Sequence, residues 1–206
     1  MAITNYTELQ SAVADFLNRD DLTSVIPTFI SLAEAQMQRV IRHHKMMNRA
    51  TAQVDTRYFV LPSDWLETSR FHLSGDRNYR LELTSMDDML QLRQANGNLT
   101  GRPSHFAHIG DQIEVYPTPS GTYDVELLYF QKIPALSATT TTNWLLTAHP
   151  DVYLYGALMQ SAPYLDDDQR MQVWSTLYGN AVQAVNQESE KARYSGAGMR
   201  MRINTY

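Results

Sequence analysis

Cysteine is absent from the sequence, which excludes disulfide bonds and thiolate metal sites as sources of stability. Long hydrophobic runs are absent too, and no segment approaches the ~20 apolar residues that a membrane-spanning helix needs. The first residues also lack the basic stretch and the apolar run of a secretory signal. We therefore expect a protein that is soluble, is not exported and has no membrane partner.

Basic residues are in deficit, with 17 Lys and Arg against 22 Asp and Glu and a net charge of −5. A general nucleic-acid-binding surface needs concentrated Lys and Arg for its phosphate contacts, so this balance argues against one. Charged residues make up only 19% of the chain, whereas Tyr occurs 12 times and Met 10 times. That composition is typical of interface cores, and a hydrophobic core padded with Met would give it equally well.

The distribution of patterns along the 206 residues predicts one domain with an embedded subdomain. The fold class is α+β: a bundle of about four helices from the N- and C-terminal parts, with an inserted antiparallel β-rich subdomain. The predicted segments are N-terminal helices at 1–48, the β-rich subdomain at 49–136, a helical hairpin at 137–193 and a flexible tail at 194–206.

The two N-terminal helices are amphipathic. Thr4 or Asn5 can cap the first, whose apolar side carries Leu9, Val13, Phe16 and Leu17. The second is predicted from 22–24 to about 47, with Pro27 in its first turn, where Pro is tolerated. Its apolar stripe consists of Ile26, Phe29, Ile30, Ala33, Met37, Val40 and Ile41.

The C-terminal hairpin carries the strongest helical pattern. Pro150 suits the first turn of one helix, which Pro163 and the acidic run after it are expected to end. Asp166 and Gln169 have the spacing of a capping box that begins the next helix. The predicted buried stripe of that helix consists of Met171, Trp174, Leu177, Tyr178, Ala181, Val182 and Val185.

The middle of the chain alternates between apolar and polar residues. Segments 50–55 and 57–62 are predicted to form a hairpin about Asp55-Thr56, and Gly110-Asp111 is predicted to be the turn of a second hairpin. The pattern at 123–133 is apolar on both faces, which indicates a central strand. Ser85 is expected to cap a short helix at 86–95, and 137–143 to be a loop.

No catalytic, cofactor or metal site is predicted. His43 and His44 point about 100° apart on a helix and have no ligand four residues on, so we expect them at a solvated helix end. The run 166–168 lacks the spaced ligands of a calcium loop and is better explained as an N-cap. Serine-nucleophile and phosphate-loop patterns are absent. Paired carboxylates on distant strands stay open as an alternative, such as those of a glycan hydrolase.

The order of residues in the C-terminal hairpin, placed after a β-rich middle, resembles the head-to-tail adaptor (head completion) proteins of tailed bacteriophages. The resemblance covers about a quarter of the chain. The matching positions are Leu145, Leu146, Pro150, Asp151, 153–158, 162–165, Asp167, Asp168, Arg170, Trp174, Tyr178, Ala181 and Asn186.

That resemblance implies a structural virion protein and not an enzyme. Members of this class form a ring, commonly a dodecamer, beneath the portal, join the DNA-filled capsid to the tail and form part of the DNA channel. The implied partners are the portal protein, a tail or nozzle/stopper protein, other copies of the chain, and double-stranded DNA that passes without specific binding. The implied location is the capsid–tail junction, with assembly in the host cytoplasm. A stopper or a tail terminator is the nearest alternative.

Two groups of contact residues follow from the resemblance. The C-terminal extension of such adaptors reaches the portal, which makes its basic and apolar residues portal-contact candidates: Arg193, Tyr194, Met199, Arg200, Met201, Arg202, Ile203 and Tyr206. Aromatic residues of the hairpin are subunit-contact candidates, namely Tyr153, Tyr164 and Tyr178, although core packing explains any one of them as well.

Overall fold

The computed structural model describes residues 2–75, 79–165 and 168–194. Within these ranges the protein is α+β, as predicted, with six α-helices and mainly antiparallel strands. The helices are α1 (Tyr6–Leu17), α2 (Ile26–Val40), α3 (Met86–Asn96), α4 (Trp144–Ala148), α5 (Pro150–Leu165) and α6 (Asp168–Tyr194). The strands are β1 (Met47–Val54), β2 (Tyr58–Val60), β3 (Trp65–Leu73), β4 (Tyr79–Arg80), β5 (Glu82–Leu83), β6 (Thr100–Gly101), β7 (His105–Ile109), β8 (Gln112–Tyr116), β9 (Thr118–Pro119) and β10 (Tyr123–Gln131).

These elements form two compact units. The helical unit combines Met1–Lys45 with Ile133–Tyr206, and the β-rich unit is Met46–Lys132. The helical unit contains α1, α2, α4, α5 and α6, which is one helix more than the sequence predicts, because the short α4 falls just after the predicted loop. Asn143 fixes the start of α4, because its side chain accepts a hydrogen bond from the Leu146 N–H at 2.8 Å.

Helix α1 is capped at both ends, by a side chain at its start and by a backbone N–H at its end. The Asn5 side chain accepts from the Glu8 N–H at 2.9 Å, and the Glu8 carboxylate accepts in return from the Thr4 N–H at 2.7 Å. Asn18 ends the helix in the left-handed conformation, with φ of 52°. The prediction of a capped helix is therefore confirmed, but Phe16 is exposed and does not belong to the buried stripe.

Helix α2 ends at Val40, several residues before the predicted end near Met47. Side chains from α6 bind the backbone groups that would have continued it. The Asn186 side chain accepts from the Arg42 N–H at 3.1 Å and donates to the Val40 carbonyl at 3.2 Å. The Ser189 hydroxyl accepts from the His44 N–H at 2.9 Å. Tertiary hydrogen bonds thus replace the last predicted helical turns.

Helix α5 packs against α1, α2, α4 and α6. Its buried residues cover nearly its whole circumference and are Val152, Tyr153, Leu154, Gly156, Ala157, Leu158, Ser161 and Ala162. At Gly156 the backbone of α5 packs tightly against α2 and α6. A Cβ there would lie 3.1 Å from Met37 Cε and 3.2 Å from both Ala33 Cβ and Tyr178 Cε2. Pro163 lies inside the helix and not at its end, as α5 continues to Leu165. The predicted capping box at Asp166 lies outside the described residues.

The segment that returns from the β-rich unit is attached to α2. The Gln38 side chain donates to the Ile133 carbonyl at 2.6 Å and accepts from the Ile133 N–H at 3.0 Å. One helical turn earlier, the Glu34 carboxylate accepts from the Leu136 N–H at 2.7 Å. These bonds satisfy backbone groups of a segment that has no regular secondary structure.

The β-rich unit contains two four-stranded sheets, with strand orders β1-β10-β3-β4 and β2-β8-β7-β5. Strand β10 is central in the first sheet and β7–β8 is an antiparallel hairpin about Gly110, so both predictions are confirmed. A single buried cluster draws side chains from both sheets, and its members are Val54, Leu61, Phe71, Leu73, Leu81, Phe106, Ile113, Val115, Val125, Leu127 and Tyr129.

The predicted hairpin between β1 and β2 is wrong. Strand β1 pairs with β10, whereas β2 pairs with β8 in the other sheet. Arg57 holds the chain at this crossing, because its carbonyl accepts from the Val115 N–H at 3.0 Å and its guanidinium lies 2.7 Å from the Glu114 carboxylate. Val54 of β1 is nevertheless in the buried cluster against which Phe59 of β2 packs.

Glu114 is 1% exposed and organises the second sheet. Besides Arg57, its carboxylate binds Arg93 of α3 at 2.7 Å. The Arg93 guanidinium also donates to the Val115 carbonyl at 3.3 Å and lies over the Tyr116 ring. A buried carboxylate is tolerated here because two guanidiniums compensate its charge. Helix α3, capped by Ser85 as predicted, is thereby attached to β8.

We predict that Gly156→Val lowers the free energy of unfolding by about 1–3 kcal/mol, because overpacking forces the neighbouring helices or side chains to move. Urea denaturation followed by circular dichroism measures this change. Gly179→Val on α6 is the matched control, since a Cβ at Gly179 meets nothing within 4 Å. Equal effects of the two substitutions would contradict close packing at Gly156.

Candidate functional site

The three subunit-contact candidates lie in different environments. Tyr153 is buried, accepts from the Asn143 side chain at 2.6 Å and donates to the Glu34 carboxylate at 3.3 Å. Tyr178 is buried as well, and burial raises its pKa to about 12. Tyr164 is 59% exposed, with its ring edge against Phe29. Contact with another copy stays a prediction for all three, and Tyr164 is the one with a ring accessible from outside.

The portal-contact candidates lie at and beyond the end of α6. Arg193 is exposed in its last turn, and Tyr194 is its final residue. The other candidates fall outside the described residues: Met199, Arg200, Met201, Arg202, Ile203 and Tyr206. The basic last turn of α6, with Lys191 and Arg193, complements the negative end of the helix dipole.

Helix α6 has an exposed apolar stripe that sequence reasoning assigned in part to the core. Its buried side consists of Trp174, Tyr178, Ala181 and Val185. Leu177 and Met171 were predicted to be buried but are exposed. Val173, Leu177 and Ala184 lie at helical spacing beside the buried side, and we call them the α6 stripe. Val173, 57% exposed, is its most exposed large residue.

The histidines after α2 form a cluster with Trp144 of α4, His149 between α4 and α5, and Glu188 of α6. His43 is 0% exposed, which corrects the prediction of a solvated helix end. Its ring is stacked on Trp144, with centroids 4.9 Å apart, and contacts the His44 ring at 4.1 Å. Its Nε2 atom lies 4.0 Å from one Glu188 carboxylate oxygen, and His149 Nε2 lies 3.5 Å from the other.

Electrostatics keep His43 neutral near pH 7. Burial, and next the neighbouring His44, lower the pKa of His43 to about 4, although Glu188 opposes the shift. The Nε2 atoms of His43 and His149 are buried, and neither has a hydrogen-bond partner among the described residues. Sequence spacing gave no signal for this cluster, because its members come from segments far apart in the chain.

The grooves of the β-rich unit are open and shallow. One of them, of about 490 Å³, is lined by Arg80, Leu81, Glu82 and Leu83. In a second groove the Glu82 carboxylate, 78% exposed, lies 3.8 Å from His105 Nε2. A carboxylate whose pKa is raised by burial is found at Glu34 of the helical unit, where backbone and tyrosine hydrogen bonds already bind it. Asp88 lines the same groove as Glu82, and its carboxylate accepts a hydrogen bond from the Ser85 hydroxyl at 2.7 Å in the cap of α3. Glycan hydrolysis, which uses two carboxylates facing one substrate, therefore stays an alternative without a dedicated pair among the described residues.

None of the described helices combines the length and apolar character needed to cross a membrane. A family model described as SU10 adaptor protein matches residues 4–202. The chain belongs to the SU10 adaptor protein family. No individual curated protein matches it.

Membership of the SU10 adaptor family confirms the coarser part of the resemblance noted in the sequence. The match spans both the helical and the β-rich unit, whereas the resemblance rested on the C-terminal hairpin. The family indicates a structural adaptor protein of bacteriophage, and hence a virion component.

We predict that His108 makes the stability of the protein fall as the pH drops below about 6.5. Burial against Trp65 and Phe106 lowers the pKa of His108, so the unfolded chain takes up a proton that the folded chain does not. His108→Phe keeps the ring contacts and should make the pH dependence measured by urea denaturation between pH 7.5 and 5.5 less steep, with His43, whose pKa is lowered as well, contributing to the slope that is left. His105→Gln, at a partly exposed ring, is the control. An unchanged slope in His108→Phe would refute the assignment.

Proposed function

We propose that this SU10 adaptor family member is a head-to-tail adaptor, a ring beneath the portal that joins the DNA-filled capsid to the tail and forms part of the DNA channel. The proposal rests above all on the family match over residues 4–202. Its partners are the portal protein, a tail or nozzle/stopper protein and further copies of the chain. It acts at the capsid–tail junction after assembly in the host cytoplasm.

The α6 stripe supports assembly into a ring. In a closed ring each subunit presents two different faces to its neighbours, so a subunit must bury surface that is exposed in the single chain. Val173, Leu177 and Ala184 offer exposed apolar surface on a long helix whose other side is already packed. Removing that surface from water favours association. In the proposed ring the stripe contacts the neighbouring copy.

The charge of the chain suits a channel through which DNA passes. Seventeen basic residues against 22 acidic ones leave each copy at −5. Close phosphate contacts from Lys and Arg would retain the DNA, whereas a net negative ring repels it weakly and leaves it free to slide. Double-stranded DNA is therefore a passing partner without specific binding.

The C-terminal segment provides the proposed portal contact. Arg193 is exposed at the end of α6, and the residues after it carry both basic and apolar side chains: Met199, Arg200, Met201, Arg202, Ile203 and Tyr206. Apolar side chains flanked by cations fit contact with a partner protein. The portal is that partner in the proposal.

We expect the double substitution Val173→Glu/Leu177→Glu to prevent ring formation without unfolding the chain, because it places charges in an interface but leaves the packed side of α6 intact. Ring formation on the portal is scored by negative-stain electron microscopy, and folding by circular dichroism. Ser175→Glu, on another side of the same helix, is the matched control. Normal rings with the double variant would exclude the stripe from the interface.

We expect truncation after Ala192 to abolish binding to the portal protein encoded by the same genome. Cryo-electron microscopy of the mixture should show a new ring of density below the portal with the full-length chain and none with the truncated chain. The sample contains the portal protein so that a ring that assembles only on the portal is also detected. No binding by the full-length chain would refute the adaptor role. A ring that instead caps isolated tails would indicate a stopper or tail terminator.

A further inference from the structure

The cluster of His43, His149 and Glu188 gathers three metal-ligating side chains within the helical unit. One ligand atom from each residue lies within 4.8 Å of the other two. His43 follows α2, His149 precedes α5, and Glu188 is on α6. Two imidazoles, which bind metal ions in their neutral form, and one carboxylate form a set of ligands that suits Zn²⁺.

The two imidazoles present buried atoms that the rest of the protein leaves unused. His43 Nε2 and His149 Nε2 have no hydrogen-bond partner among the described residues, although His43 is 0% exposed. Buried polar atoms are normally hydrogen-bonded, so two such atoms facing one carboxylate call for a shared ligand. A divalent cation would satisfy both nitrogens and the carboxylate together.

The three ligand atoms must move closer together to share one ion. Ligand bonds to Zn²⁺ of about 2.0–2.2 Å in tetrahedral coordination place two ligand atoms roughly 3.3 Å apart. His149 Nε2 lies 3.5 Å from one Glu188 oxygen and His43 Nε2 lies 4.0 Å from the other, and one ligand atom of each residue lies within 4.8 Å of the other two. The Glu188 side chain is 53% exposed and free to adjust, whereas stacking on Trp144 holds the His43 ring in place.

We propose that His43, His149 and Glu188 bind one Zn²⁺ ion, which leaves a fourth position for water. The ion would link the segment after α2 to the junction of α4 and α5 and to α6, and so would act as a structural cross-link within the helical unit. The inference depends on residues of that unit alone and is independent of the ring proposal.

Binding requires a change of tautomer at His43. The Lys45 N–H donates to His43 Nδ1 at 3.3 Å, so without metal the neutral ring carries its proton on Nε2. Coordination through Nε2 moves that proton to Nδ1, and the contact with the Lys45 amide must open. Metal binding therefore has a spectroscopic signature at one named ring.

The test uses the tag-free, full-length chain after treatment with a chelator. Calorimetric titration with Zn²⁺ should show that one equivalent binds. Thermal unfolding should show a higher melting temperature with Zn²⁺ than without it. Co²⁺ should give the visible absorption of a tetrahedral site. His149→Gln and Glu188→Gln should each weaken Zn²⁺ binding at least tenfold. Both residues are less buried than His43, so these variants should fold. Glu190→Gln, an exposed position on the same helix, is the control.

Nitrogen NMR of the histidine rings should show His43 changing from the Nε2–H to the Nδ1–H tautomer at one equivalent of Zn²⁺. Absence of stoichiometric Zn²⁺ binding would overturn the proposal. So would binding that both ligand variants retain, or binding that leaves the His43 tautomer unchanged. Weakening by Glu190→Gln equal to that by Glu188→Gln would also overturn it, because the effect would then be one of surface charge.

Discussion

Enclosure of α5 by four other helices is the constraint on which the helical unit depends. A helix buried on nearly all sides must leave no polar group unsatisfied and no excess volume. Tyr153 meets the first demand through Asn143 and Glu34, and Gly156 meets the second by letting α2 and α6 approach. The remaining helices are therefore positioned by a segment that tolerates little change, and α6 is left with one free side.

Much of the fold was predictable because local patterns agree with their tertiary setting. Asn5 and Ser85 cap the helices that they were expected to cap, and β10 is the central strand that its two apolar faces indicated. The errors occur where distant side chains override local preference. Asn186 and Ser189 bind the backbone after Val40 and end α2 early, and Glu114 holds Arg57 in the sheet opposite β1.

The candidate sites were less predictable than the fold. Tyr153 and Val173 differ little as isolated apolar positions of a helical pattern, but one is enclosed and the other is exposed. The histidine cluster is assembled by the packing of α5 and α6 against the end of α2, so its spacing in the sequence has no regularity. By contrast, the family resemblance was visible in the hairpin because the order of small, aromatic and acidic residues there is itself distinctive.

The attachment of residues 133–136 to α2 has a mechanical consequence. Gln38 and Glu34 hold this segment by three hydrogen bonds from side chains one helical turn apart. A load applied along the segment passes into α2 at Ile133 and Leu136, and into the N-cap of α4 at Pro134, whose carbonyl accepts from the Asn143 side chain at 2.8 Å. Peeling from Ile133 onwards must break the paired bonds of Gln38, then the Asn143 bond to Pro134 and then the Glu34 bond, so the helical unit receives tension through two helices that both pack against α5.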